Sequence, residues 1–141
     1  MATDGYILAI DYGDRRVGLA LGHVIARLPR PLQTLENSPT LIEDIQTIAR
    51  QEQVTGLVVG LPRNMDGSLG PQAQKCHSFG EKLHQQLGLP VSFVEETLSS
   101  VEASAYMNDA QAKKAGLDAV AAARILERYF EEPESRTDGL A

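Results

Sequence analysis

Three carboxylates stand where predicted secondary-structure elements begin or end. Asp11 directly follows the apolar run at residues 7–10. Glu96 closely follows a second apolar run, at residues 91–94, and Asp118 falls in the first turn of the last predicted helix. A carboxylate at the end of an apolar strand is costly unless a cation or a hydrogen-bond donor compensates its charge. Oxygen ligands grouped without histidine or cysteine favour Mg²⁺ or Mn²⁺. If these side chains converge, the chemistry that such a site supports is two-metal hydrolysis of a phosphodiester bond.

Glu95 and Glu96 are consecutive residues of one predicted strand, so their side chains point to opposite faces of the sheet. At most one of them can therefore share a site with Asp11. Taken singly, each acid also has an ordinary structural explanation; the first turn of a helix, for example, favours a negative charge such as that of Asp118. The metal-site hypothesis depends on all three acids lying at element ends that a small α/β domain can bring together.

Basic and polar residues near these acids are candidates for contact with an anionic substrate. Positive charge at the rim of a carboxylate site offsets the repulsion of a phosphate backbone. The candidates are Arg15, Arg16, Arg63, Asn64, Lys113 and Lys114. Aromatic residues amount to 5% with no Trp, so a base-stacking platform is not expected and recognition would rest on backbone shape.

The pattern of apolar runs and turn residues predicts the elements that position these groups. Two β-prone runs near the N-terminus predict a hairpin, and residues 29–35 could add a third strand. Thr40 and Glu43 have the spacing of a capping box and predict the start of a helix. A strand, a helix and a strand follow, and then two helices at residues 99–108 and 117–130. This order predicts an α/β fold with a mixed five-stranded sheet flanked by helices.

The length and charge are those of one acidic globular domain. The 141 residues carry 13 Lys+Arg against 19 Asp+Glu, a net charge of −6, and 43% are hydrophobic, the ordinary balance of a folded protein. Residues 1–130 are predicted to form the domain, and residues 131–141, which hold four of the acids, to form a flexible tail. Because the acidic excess is concentrated in that tail and in the proposed metal ligands, it does not exclude a nucleic-acid partner.

The distribution of cysteine and of apolar residues indicates the compartment. A single cysteine, Cys76, excludes a disulfide framework and suits a reducing environment. Every apolar run is far shorter than the roughly 20 residues of a membrane-spanning helix, and the N-terminus lacks the layout of a signal peptide. We therefore expect a cytoplasmic protein without a membrane partner.

Four segments carry a more specific signal. In chain order they read ILAIDYGDRRVGLA, VVGLPRNMDGS, EETLSSVEA and DAVAAARILE, and they begin at residues 7, 58, 95 and 118. In sequence and in order they resemble the signature blocks of the YqgF/RuvX family of RNase H-like proteins, and they extend over nearly the whole chain. The second block is highly distinctive, whereas a strand followed by Asp-x-Gly is by itself a weak signal.

The resemblance implies an RNase H-like fold akin to that of Holliday-junction resolvases, and a cytoplasmic nuclease that matures the 5′ end of 16S ribosomal RNA from its precursor. It implies that Asp11, Glu96 and Asp118 are catalytic and hold Mg²⁺ or Mn²⁺, as two ions. Partners would be precursor ribosomal RNA and ribosomal precursor particles. Two residues depart from the family pattern: Glu95 replaces an aspartate, and Thr97 replaces an arginine able to bind phosphate through two hydrogen bonds.

Three alternatives stay open at the level of the sequence. The same chemistry on branched DNA would make the protein a resolvase and would favour a homodimer, because two symmetric cuts need two sites; the sequence does not distinguish monomer from dimer. A non-catalytic protein that keeps the fold and binds nucleic acid or a transcription complex would account for Thr97 and the acidic tail. An actin-like ATPase is disfavoured, because 141 residues supply one lobe and a nucleotide is normally clamped between two.

Overall fold

The computed structural model describes residues 5–64, 66–97, 116–131 and 136–140. Within these ranges, six strands form one sheet and three helices pack on it. The elements are β1 (Tyr6–Tyr12), β2 (Arg16–His23), β3 (Arg30–Glu36), α1 (Leu41–Gln51), β4 (Val54–Arg63), α2 (Pro71–Leu87), β5 (Val91–Thr97), α3 (Leu117–Glu131) and β6 (Arg136–Leu140). The helix predicted at residues 99–108, and the loop that carries Lys113 and Lys114, lie outside the described residues.

The sheet is mixed and has the strand order β3-β2-β1-β4-β5-β6. β1, β2 and β3 form an antiparallel meander, whereas β1, β4 and β5 run parallel at the centre. The carboxyl ends of these three central strands therefore share one edge of the sheet, where open α/β sheets usually bind their ligands. The predicted mixed sheet flanked by helices is confirmed, and its five predicted strands are β1 to β5.

β6 adds a sixth strand where the sequence predicted a flexible acidic tail. It pairs antiparallel with β5, with Leu140 opposite Val91 and Arg136 opposite Val94. The prediction of a flexible tail was therefore wrong for residues 136–140. The backbone N–H and C=O groups of an edge strand can pair with a neighbour whatever side chains they carry, and the polar composition that predicted the tail does not report such pairing.

Each face of the sheet is covered by its own apolar core. α1 and α2 pack on one face, where Ile10 and Phe93 are buried. α3 packs on the other face, against Ala9, Val58 and Val94. We term these two surfaces the α1/α2 face and the α3 face. Because side chains alternate along each strand, the face to which any strand residue points follows from its neighbours.

α3 lies close to the sheet because small residues line both surfaces. Ala119, Ala122 and Ala123 of the helix are fully buried. A Cβ placed on Gly60 of β4 would lie 2.5 Å from Ile125 Cδ1, a distance at which carbon atoms overlap. The absence of a side chain at such a position sets how near the helix can come to the strands.

The first two helices begin and end near the predicted positions, but the predicted capping hydrogen bond of the first helix is absent. α1 begins at Leu41, yet Thr40 makes no side-chain cap hydrogen bond; its hydroxyl donates to Asp44 Oδ2 at 3.2 Å, so the predicted capping box was wrong. α2 begins at Pro71 and ends at Leu87, and its C-cap Gly88 has a φ of 73°, the left-handed conformation that glycine adopts without strain. No helix within the described ranges is long and apolar enough to cross a membrane.

Candidate active site

Asp11 lies at the carboxyl end of β1, on the α3 face. Ile7 and Ala9 pack in the α3 core, and the alternation along the strand carries Asp11 to the same side. Its backbone pairs with that of Gly18 in β2. The first turn of α3 passes directly over Gly18, since a Cβ there would lie 1.9 Å from the carbonyl oxygen of Asp118. The fold thereby brings Asp11 and Asp118 next to each other.

The environment of Asp11 opposes its ionisation. Burial, and secondarily repulsion by the charge of Asp118, raise the pKa of Asp11 from 3.8 to about 6. A carboxyl group with a strongly raised pKa at the ligand-binding edge of an α/β sheet is a candidate functional group. Among the described residues, the positive charge near Asp11 is therefore too small to offset its burial.

Glu96 faces the same side of the sheet from β5. Its Oε1 lies over Gly60 of β4, because a Cβ atom added to this glycine would be 3.0 Å from that oxygen. Burial, and secondarily repulsion by Asp11, raise the pKa of Glu96 from 4.5 to about 7, whereas the cations of Arg128 and Arg124 lower it. Asp11 is therefore coupled electrostatically to both other predicted carboxylates, as expected if it lies between them.

Asp118 is held by the basic side chain of the first residue of β2. Arg16 Nε donates a hydrogen bond to Asp118 Oδ2 at 2.9 Å, with 68% of the Arg16 side chain and 32% of the Asp118 side chain exposed. Arg16 thus stands beside Asp118. Its predicted contact with a substrate phosphate stays a prediction, as does that of the neighbouring exposed Arg15.

The chemistry of these side chains fits a hard divalent cation, although their present conformation does not enclose one. Among the residues that the structure describes, no three His, Cys, Asp or Glu side chains lie close enough together to hold a metal ion. The donors are nevertheless carboxylate oxygens alone, which suit Mg²⁺ or Mn²⁺, and the raised pKa values of Asp11 and Glu96 mark a place where added positive charge would be favourable. Asp118 would have to exchange its bond with Arg16 for the ion.

Arg63 does not join these carboxylates. It points to the α1/α2 face, where its Nη2 donates to Glu95 Oε1 and its Nη1 to the carbonyl oxygen of Gly67. The hydrogen bond with Glu95 raises the pKa of Arg63, which therefore stays charged. Arg63 and Glu95 thus join the ends of β4 and β5 to the loop that follows β4. The sequence could not reveal this pair, because its members are 32 positions apart.

Asn64 also has a structural partner, in the loop between β4 and α2. Its backbone N–H donates to the carbonyl oxygen of Ser68 at 3.0 Å, and its Nδ2 donates to Ser68 Oγ at 3.1 Å. Asp66 Oδ1 accepts from both the N–H and the hydroxyl of Ser68. These bonds close the loop on itself at the edge where β4 ends. Contact of Asn64 with substrate stays a prediction.

Two arginines near the site were overlooked in the sequence. Arg124 and Arg128 of α3 act on the charge of Glu96. Their spacing of four residues on the last predicted helix places both on one side of it, and this was the signal that could have identified them.

Lys113 and Lys114 fall outside the described residues, so their predicted role is not tested by the structure.

The chain is similar in sequence to proteins of one family over almost its full length. A family model described as RuvX, Holliday junction resolvase, matches residues 5–132. A relative from Roseiflexus sp. (strain RS-1) is 39% identical over 133 residues, which cover 90% of this chain and 94% of the relative. Another, from Ralstonia pickettii (strain 12J), is 38% identical over 132 residues, 92% of this chain and 90% of the relative. Both bear the name "Putative pre-16S rRNA nuclease".

The fold is also similar to that of a solved structure. T. thermophilus RuvC in complex with a Holliday junction substrate matches with a TM-score of 0.57 and 15% sequence identity, over 96% of this chain and 99% of that chain. At this identity the likeness concerns the fold alone. It confirms the predicted RNase H-like fold.

Proposed function

The chain belongs to the RuvX family, and from that premise we propose that it is a metal-dependent endonuclease that matures the 5′ end of the 16S ribosomal RNA precursor in the cytoplasm. One observation carries the proposal. Asp11, Glu96 and Asp118 come from three different elements, and Asp11 interacts electrostatically with each of the other two near the carboxyl edge of the central strands. A site of this composition favours phosphodiester chemistry over proton transfer or nucleophilic catalysis by the protein itself.

In this proposal the three carboxylates hold the Mg²⁺ or Mn²⁺ ions, which when bound supply the charge that activates water and stabilises the leaving oxygen. Asp11 is the central member, because it is repelled by the charge of Asp118 and itself repels the charge of Glu96. Arg124 and Arg128 favour the charged form of Glu96. Arg15 and Arg16 place positive charge at the rim, where flanking phosphates of the substrate would bind.

The choice of RNA over DNA is supported by the names of the relatives, with which the chain shares most of its length. The nearest alternative is resolution of branched DNA, which the description of the family model favours. Both substrates present the same scissile group to the same carboxylates, so a direct assay has to decide between them. Two symmetric cuts in a junction would in addition need a dimer.

The deciding experiment compares the wild-type protein with Asp11→Asn on three substrates in Mg²⁺. The substrates are a 16S precursor fragment with its 5′ extension, the same fragment within precursor ribosomal particles, and a four-way DNA junction. We expect cleavage of the RNA at one position by the wild type, and loss of at least about a thousandfold in rate for Asp11→Asn. Asp44→Asn is the matched control, because Asp44 is an exposed residue of α1 away from the site.

Each other outcome selects an alternative. Cleavage of the junction in preference to the RNA would assign the protein to branched DNA. Binding of either substrate without cleavage would make it a non-catalytic nucleic-acid-binding protein. Equal rates for wild type and Asp11→Asn would show that these carboxylates do not perform the reaction.

A further inference from the structure

A cleft of about 450 Å³ lies on the α1/α2 face, between the carboxyl end of β1 and the exposed side of α2. Its floor is the ring of Tyr12, which stacks on Phe79 with the ring centroids 4.2 Å apart. Tyr12 directly follows Asp11 in β1, so the cleft begins where the strand that carries the central carboxylate ends. The two residues point to opposite faces, and the cleft is therefore separate from the carboxylate site.

The wall of the cleft is basic, in a protein whose net charge is −6. Lys75 and Lys82 both line it, and their separation of seven residues places them about 10 Å apart along the helix. Gln74, next to Lys75, and Ser78, between the two lysines, add exposed groups that can donate hydrogen bonds. This wall presents two cations and neutral donors above a flat aromatic floor.

The acidic neighbour of Lys75 is weakly bound. Lys75 Nζ lies 3.2 Å from Asp14 Oδ1, and the two side chains are 56% and 66% exposed. An ion pair this exposed contributes little, so a phosphate group could replace Asp14 at low cost. The cleft is thus better suited to an anion than to a cation or to an apolar segment.

We propose that this cleft binds the single-stranded RNA that flanks the scissile phosphate, with Lys75 and Lys82 on backbone phosphates and the Tyr12 ring against a sugar or base. The inference rests on the proposed function for the identity of the strand. An RNA strand that leaves the carboxylates over the end of β1 would pass from Asp11 to Tyr12, which are consecutive residues of that β-strand. The cleft then extends the substrate path to the second face of the sheet.

The test measures binding of a fluorescent single-stranded RNA, taken from the 5′ extension of the precursor, to full-length Asp11→Asn protein. That background prevents cleavage while dissociation constants are measured at several salt concentrations. The test variant adds Lys75→Gln and Lys82→Gln. The matched control adds Arg27→Gln and Arg50→Gln, which remove the same charge from exposed positions at the opposite edge of the sheet. Thermal melts verify that both variants fold.

We expect the lysine variant to bind at least about tenfold more weakly, and the slope of log affinity against log salt to fall by about 1.4, the value for two contacts with a single strand. The control should keep its affinity within about threefold and its slope unchanged. Asp14→Asn should strengthen binding, because it removes the anion that competes for Lys75.

Failure of this inference differs from failure of the proposed function. If the lysine variant binds like the control while the wild type still cleaves RNA, the cleft does not hold the strand and the nuclease assignment stands. If no RNA is cleaved but binding depends on the two lysines, the cleft is an RNA-binding site and the proposed nuclease activity is contradicted. A lysine variant that binds RNA normally and changes its mass in light scattering would instead assign the cleft to a second copy of the chain.

Discussion

The backbone of Asp118 lies directly over Gly18: a Cβ on this glycine would come within 1.9 Å of the Asp118 carbonyl oxygen and 2.7 Å of the Ala119 nitrogen. Gly18 is in turn the β-sheet partner of Asp11. One glycine therefore sets the separation between the strand that carries the first carboxylate and the helix that carries the third. The geometry of the site depends on the absence of a side chain there.

Gly18→Ala should accordingly displace the first turn of α3. The added methyl group meets backbone atoms, which cannot rotate away as a side chain can, so we expect a fall of several degrees in Tm and a loss of Mn²⁺ binding measured by calorimetry. Gly56→Ala is the matched control, because the nearest atom to its new Cβ is Ile7 Cδ1, the flexible end of a side chain, at 3.2 Å. Equal effects of the two changes would contradict the proposed close approach.

The raised pKa of Asp11 predicts a pH-dependent difference between the metal-free wild type and Asp11→Asn. The folded-state pKa of about 6 exceeds the ordinary value of 3.8, so Asp11 contributes stability while protonated, below about pH 4, and loses that contribution as the pH rises through 6. Asparagine stays neutral throughout. In EDTA, Asp11→Asn should be more stable than the wild type at pH 8, by at most about 3 kcal/mol, and the difference should shrink towards pH 4.

The measurement is urea unfolding at pH 4, 6 and 8. Asp44→Asn, in the exposed part of α1, should show no such trend. Addition of Mg²⁺ at pH 8 should stabilise the wild type more than Asp11→Asn, because ion binding requires the carboxylate. Parallel stability curves for wild type and Asp11→Asn across the whole pH range would show that Asp11 is not hindered from ionising.

Arg16 should compete with divalent ions for Asp118. Removal of the hydrogen bond in Arg16→Gln frees the carboxylate, so we expect Mn²⁺ to bind more tightly to the substrate-free protein. Because the pair is partly exposed, the gain should be no more than about fivefold, corresponding to about 1 kcal/mol. Arg15→Gln, with the same change of charge at the neighbouring residue, is the control. An identical gain in both variants would indicate a general effect of charge and would contradict a specific role of Arg16.

Glu95 should hold the loop after β4 through Arg63. Glu95→Gln removes the negative charge that Arg63 faces, and we expect Arg63 to release the carbonyl of Gly67. The bond between Arg63 and Asn64 is a trypsin site, so native-state trypsin cleavage there should become several times faster. Glu81→Gln is the control, because Glu81 is an exposed residue whose contact is with His77 on the same helix. An unchanged cleavage rate in Glu95→Gln would show that the loop does not depend on this ion pair.

The parts of the site that could be predicted were those governed by local rules. The apolar runs place Asp11 and Glu96 at strand ends, and the alternation of side chains allows only one of Glu95 and Glu96 on the face of Asp11. Both follow from the geometry of a single strand. The proximity of Asp118 to Asp11 could only be suspected from the sequence, because it depends on the packing of α3 against Gly18, a residue of the second strand.

The features that could not be predicted depend on which of several possible partners a polar side chain binds. Arg63 looked like a substrate contact because it is a cation on a loop beyond a strand, and the structure pairs it with Glu95. Thr40 had the spacing of a cap, but its hydroxyl bonds to Asp44 instead. In both cases a polar side chain had more than one partner within reach, and the sequence spacing alone did not decide between them.

The pairing of β6 with β5 bears on the colloidal behaviour of the protein. Without β6, the strand that contains Val91, Phe93 and Val94 would be an uncovered sheet edge, a template on which another chain could add its own strand and begin aggregation. β6 occupies that edge. Its sequence carries Arg136 and Asp138, charged residues of the kind that discourage further strand addition. A C-terminal strand of only five residues thus covers the backbone edge of β5 on which another chain could otherwise add a strand.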